Sequence, residues 1–349
     1  MGFFSRALGL LRNREPAPGQ GAEDEFARAK ARIAAAKAAT AKRGDGAAID
    51  WTALGGHEAW FDRPDALEVV QSRLDRGELS QEQAELLRKW IVDGYVVLEG
   101  AVDHADVDGV NAYVDDLLQT DVPNPGITFL GFTLDEAAGG AAVPHADLVR
   151  LSPAERQARA RLSPWRIHEL WTRCEPARRI YQNARLAEAA SLIFGCPAYP
   201  RSTINFYLGS QQELHQDMTV FHVFPGNYLI GAWVACEDIS ADSGPLVFSP
   251  GSHRAPAYGK FANHPQDTLR TCPLDEYAGY YAYTNALAAE HGTKHFLARK
   301  GDVLLWHGML VHGGSAVRDP SLTRRSMVIH YLRDGADQTD GIVGPFNWN

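Results

Sequence analysis

From Arg201 onwards the chain is a succession of short apolar runs separated by turn residues, and few folds accept that pattern over so long a stretch. The runs are Ser202 to Leu208, Tyr228 to Glu237, Pro245 to Ser249, His295 to Ala298, Asp302 to Trp306 and Ser326 to Leu332. Each has the length of a strand and is too short for a helix. The spacing predicts a mainly β core of jelly-roll, cupin-like type over residues 201–333.

The half before it reads differently. Ser80 and Gln83 form a capping box, Ala84, Leu87 and Ile91 make an apolar stripe, and Gly94 ends the helix before the strand-like Tyr95-Val96-Val97-Leu98. Val107, Val110, Val114 and Leu117 mark a second amphipathic helix, and Pro176 to Phe194 reads as a third. Residues 120–165 are rich in Gly, Pro and Ala and only weakly periodic, so they are expected to run over the surface as a long connection and to line a substrate entrance. The β core is therefore expected to be buttressed by N-terminal helices spanning residues 79–195, within a single domain of residues 51–349. Residues 1–50 read as an extension, partly disordered, with an Ala-rich helix from Glu23 to Arg43.

Charge narrows the partners. The net charge of −9 hides nine Lys/Arg against four Asp/Glu in residues 1–43, which leaves −14 on the rest, an acidic body that is a poor match for nucleic acid. Phe3, Phe4, Ala7, Leu8 and Leu11 beside Arg6, Arg12 and Arg14 have the pattern of a membrane-surface helix, although one segment this short holds lipid only marginally and a frayed tail is the favoured reading. Cys174, Cys196, Cys236 and Cys272 are scattered without a C-x-x-C pair, and no long apolar run is present, so a reducing, cytoplasmic setting is expected.

His215-Gln216-Asp217 carries the chemistry. Residues two apart on an extended strand share a face, so the imidazole of His215 and the carboxylate of Asp217 can grip one ion. A second imidazole from a distant strand would complete a 2-His-1-carboxylate set, which leaves positions open for a co-substrate and O2 on non-haem Fe(II). His312 and His307 both follow apolar strand-like pieces and both compete for that third place. Downstream, Arg324 and Ser326 share a face at the start of the last strand, a guanidinium with a hydroxyl beside it, suited to a carboxylate. His222, Arg254 and His307 are further candidates for the substrate cavity, and the insert from Arg254 to Lys294 holds Tyr258, Tyr277, Tyr280, Tyr281 and Tyr283, which either form a lid or pack the outside of the barrel.

Several motifs occur in a fixed order: Leu79-Ser80-Gln81-Glu82-Gln83 through Asp93 to Leu98, Leu214-His215-Gln216-Asp217, Trp233 with Glu237-Asp238-Ile239, Ser243 to Val247, Pro250-Gly251-Ser252-His253-Arg254, and Trp306 to Arg324. From Leu79 to Leu332 the chain thus resembles the phytanoyl-CoA dioxygenase family of Fe(II)/2-oxoglutarate oxygenases. The resemblance implies a double-stranded β-helix, iron on His215, Asp217 and His312, and the distal carboxylate of 2-oxoglutarate on Arg324. It implies that Gln216 and Trp233 lie near that co-substrate, and it selects His312 over His307. The family's Gly-Ser after the distal histidine appears here as Gly313-Gly314-Ser315, which makes Ser315 a further candidate contact. Members with Ala or Gly in place of the carboxylate halogenate, so the presence of Asp217 implies hydroxylation of a small-molecule or lipid-like substrate, with 2-oxoglutarate and O2 consumed and succinate and CO2 formed. A non-catalytic sensor of iron or 2-oxoglutarate is the alternative of another class. A zinc hydrolase would leave Arg324 without a purpose.

Overall fold

The computed structural model describes residues 59–135, 139–221, 223–224, 228–261, 269, 272–334 and 337–338. The Ala-rich helix, the amphipathic N-terminal stretch and His222 lie outside the described residues. Thirteen strands are seen among them: β1 (Tyr95–Leu98), β2 (Thr128–Asp135), β3 (Gly139–Pro144), β4 (Arg166–His168), β5 (Ala198–Phe206), β6 (Val223–Phe224), β7 (Leu229–Ala235), β8 (Leu246–Phe248), β9 (Lys294–Phe296), β10 (Val303–His307), β11 (His312–Gly314), β12 (Ser326–Arg333) and β13 (Asp337–Gln338). Eight form one antiparallel sheet in the order β1-β10-β7-β12-β5-β4-β2-β3, facing a smaller sheet β11-β8-β9. This is the expected double-stranded β-helix, built on one large sheet and one small one.

Period-two alternation sorts the large sheet's residues into two cores. Val303 and Leu305 of β10, Ala232 and Val234 of β7 and Met327 and Ile329 of β12 point to the helices. Their neighbours Leu304, Trp306, Trp233 and Val328 point to the small sheet, where they meet Leu246, Phe248 and Phe296. Burial on both faces is why these strands read as unbroken apolar runs rather than as apolar-polar alternation.

The helical layer follows from local signals. Helices α1 (Ala66–Asp75) and α2 (Gln81–Asp93) come first; α2 starts at the Ser80/Gln83 capping box and ends where Gly94 turns left-handed at φ 76°. Helix α3 (His104–Gln119) buries Val107, Val110, Val114 and Leu117 as the spacing predicts. Two expectations need correction. The span 120–165 is not a surface connection: it holds the β2-β3 hairpin and the short helices α4 (His145–Leu148) and α5 (Pro153–Arg159), with Phe129, Phe132, Leu148 and Trp165 fully buried. Its β2-β3 pairing shifts register twice, so the alternation restarts within eight residues and no period shows in the sequence. The expected third helix is two, α6 (Glu175–Tyr181) and α7 (Ala184–Phe194), because the Asn183 side chain accepts from Leu186 N–H and starts the second. Within the insert, Leu274–His291 forms helix α8. No helix among the described residues is long and apolar enough to cross a membrane.

Candidate metal and co-substrate site

His215 and His312 stand opposite each other in an antiparallel bridge, with both backbone hydrogen bonds made, at 2.8 and 2.9 Å. Gln216 is extended (φ −117°, ψ 128°), which sends the side chains of His215 and Asp217 to one side before the chain turns into the 3-10 helix Asp217–Thr219. One ligand atom from each of His215, Asp217 and His312 lies within 4.8 Å of the others. Asp217 Oδ1 is 3.7 Å from His215 Nε2 and 3.6 Å from His312 Nε2.

The donor atoms are prepared for a cation. His215 Nδ1 bonds the carbonyl of Glu213 and His312 Nδ1 that of Leu310; a carbonyl only accepts, so both Nδ1 atoms carry the proton and both Nε2 lone pairs face the gap. Burial pushes His312 down to about 4, against the pull of Asp217, and keeps the imidazole neutral at physiological pH. Burial alone would raise the Asp217 carboxyl, but His312, His330 and His215 outweigh it and hold the group below the usual carboxylate range.

The second oxygen of Asp217 is anchored from the large sheet. Trp306 Nε1 donates to Oδ2 at 2.9 Å, and His330 Nε2 lies 3.4 Å from the same atom. Gly231 pairs with Trp306 on one side and His330 on the other, and a Cβ there would sit 2.2 Å from the indole. Only a residue without a side chain lets the indole lie across β7 and reach the carboxylate.

Arg324 lies further along the same face. Its guanidinium is 2% exposed, donates to Ser326 Oγ at 3.0 Å and stands 5.5 Å over the ring of Trp233. It makes no ion pair among the described residues, and its Nε has no hydrogen-bond partner. Burial lowers it to about 10, so it stays charged near neutrality. An unpaired buried cation is costly, and an anionic guest would offset the cost. Ser326, Val328 and His330 alternate on β12 and form a track from this guanidinium to Asp217.

Residues 90–326 match the family model described as phytanoyl-CoA dioxygenase, which is two thirds of the chain. The chain belongs to the phytanoyl-CoA dioxygenase family. It is 24% identical over 269 residues to the peroxisomal phytanoyl-CoA dioxygenase of Rattus norvegicus, covering 76% of this chain and 71% of the relative. The phytanoyl-CoA dioxygenase domain-containing protein 1 of Danio rerio is 28% identical over 144 residues, 40% of this chain and 44% of that one. Among solved structures, the non-haem α-ketoglutarate-dependent carbocyclase SnoK superposes with a TM-score of 0.52 at 18% identity, covering 78% of this chain and 93% of its own. The epimerase SnoN, solved with Fe3+ and α-ketoglutarate, gives 0.51 at 18%, covering 74% and 86%. Both likenesses concern the fold.

Several of the other candidate residues have polar atoms engaged within the protein itself. The Gln216 amide donates to the carbonyl of Met309, and Ser315 Oγ donates to that of Pro245, so both donors are engaged by backbone. His307 is not with the triad; its Nδ1 accepts from Met309 N–H and its Nε2 is 3.2 Å from Asp62 Oδ1, beside Phe61 and Trp90. Arg254 caps α2 by donating twice to the carbonyl of Ile91. Sequence reasoning missed Trp306 and His330 as partners of Asp217, and Arg166 and His168, whose β4 pairing with Phe206 and Ile204 puts them on the inner face. His330 had a signal: it is the one basic residue in Met327 to Leu332, an otherwise apolar run except for the phenol of Tyr331, and it is in phase with Ser326.

Proposed function

We propose that this family member is an Fe(II)- and 2-oxoglutarate-dependent oxygenase that hydroxylates a C–H bond of a small molecule. What supports the reading is one juxtaposition between the two sheets: a preset His2Asp donor set whose Asp217 touches the inner face of the large sheet, and a buried, unpaired guanidinium on that same face. The donor set fits iron, since two imidazoles and one carboxylate converge from one side, as a 2-His-1-carboxylate set does. Bound Fe(II) would supply O2 activation coupled to decarboxylation of 2-oxoglutarate to succinate and CO2.

The protein's own part is holding and positioning. His215, Asp217 and His312 would hold the ion, with Trp306 and His330 fixing which carboxylate oxygen faces it. Arg324 and Ser326 would take the far carboxylate of 2-oxoglutarate, and the Trp233 face would flank its carbon chain. The apolar surface of Phe206, Trp233 and Val328 would keep bulk water from the co-substrate.

Anaerobic loading with Fe(II) and 2-oxoglutarate, followed by O2, tests the reading. Succinate release is expected, accelerated by the substrate fraction of a metabolite extract, with one oxygen atom added to the product. Asp217→Ala should reduce succinate to background. Tight 2-oxoglutarate binding without succinate would favour the sensor; no binding at all would end the reading.

A further inference from the structure

The insert helix α8 lies against the back of the metal centre, and two of its side chains hold the ligand-bearing segment. Tyr280 is fully buried, and its phenol oxygen is 2.9 Å from Gln216 N and 2.8 Å from Thr219 Oγ1. Thr219 Oγ1 is in turn 2.7 Å from Gln216 O. Proton counting closes the set: Gln216 N–H donates to Tyr280 Oη, the phenol donates to Thr219 Oγ1, and Thr219 donates to the Gln216 carbonyl. The ring encloses Gln216, the residue between two of the ligands. One turn along α8, Thr284 Oγ1 donates to Leu214 O at 2.8 Å, next to His215. A further turn along, Leu287 and Ala288 pack on Leu214 and Val311, the neighbours of His215 and His312.

We infer that Tyr280 is a positioning residue for the metal centre, and that α8 fixes the His215-Gln216-Asp217 backbone in the extended form that keeps both ligands on one side. The inference rests on the proposed iron site. Without the phenol, Gln216 N–H would be buried with no acceptor, and its peptide could rotate toward other partners, separating His215 from Asp217.

Tyr280→Phe keeps the ring and removes only the oxygen. Fe(II) affinity is measured by competition with a chelator, and the visible charge-transfer band of the anaerobic Fe(II)–2-oxoglutarate complex is recorded beside it. Loss of about tenfold in affinity and a shifted band are expected, as when an outer partner of a metal ligand is removed. Tyr258→Phe, in the same aromatic cluster but bonded to Glu276 rather than to the ligand-bearing segment among the described residues, should bind as the native protein does. Thr219→Val opens the ring at another atom and should reproduce the loss, which keeps the test decisive if Tyr280→Phe does not fold. A purely structural role for Tyr280 predicts a lower unfolding temperature with native affinity and an unshifted band, and that result would overturn the inference while leaving the iron site intact. Native protein that binds no Fe(II) would overturn both.

Discussion

The two faces of the large sheet are made from the same strands and do opposite work. Toward the helices, Val303, Leu305, Ala232, Val234, Met327 and Ile329 meet an almost wholly apolar layer. Toward the small sheet, the alternate positions carry Trp306, Trp233, Ser326 and His330, interleaved with just enough apolar surface to stay dry. Stability is concentrated on one side and chemistry on the other, separated by the thickness of one strand. Side chains on the chemical face can therefore be arranged for ligands without dismantling the packing that holds the strands.

Substitutions can test that division. Ile329→Ala, on the helix side, should destabilise the fold by about 3 kcal/mol through the cavity left behind. Its KM for 2-oxoglutarate should be unchanged; denaturant melts and succinate assays on one preparation check both halves, and a raised KM would break the separation. Next in size, Arg324→Leu should raise the KM for 2-oxoglutarate roughly 100-fold, the loss of charge-assisted bonds worth about 1.5–3 kcal/mol. Its unfolding free energy should hold or rise, since an unpaired buried charge is removed. Trp306→Phe should then weaken Fe(II) binding by about tenfold, as the bond to Asp217 Oδ2 disappears while the aromatic packing remains. A chelator titration measures it.

Acid should act on the chemical face through its histidines, with the smallest effect near neutrality. Burial lowers both His168 and His312 to about 4 from an ordinary 6.5. The unfolded chain therefore binds more protons between those values, and stability of the metal-free protein should fall as pH drops from 6.5 toward 4. Thermal melts across that range, repeated on His168→Gln, would show a shallower slope in the variant. An identical slope would remove His168 from the account.

Much of the frame was legible early. The six strand-like runs after Arg201 all become strands within a few residues of the expected ends, and the α2 start, the Gly94 stop and the stripe on α3 were all readable from neighbouring residues. What failed had a physical cause. The β2-β3 hairpin hides behind its register shifts, and the break at Asn183 is a single capping bond inside a pattern that otherwise continues. In the site, the H-x-D pair and the Arg324/Ser326 pair could be read because each depends only on the two-residue period of a strand.

Sequence by itself determined which residues can bind a cation and an anion, and on which side of their own strand they stand, because alternation is a local property of extended backbone. Only the tertiary structure decided that Gly231 clears a path for Trp306, that His330 reaches the same carboxylate, and that an insert helix holds Gln216 from behind. Those choices depend on which strands become neighbours and in what register, which is fixed by burying two apolar faces at once and is written in no single segment.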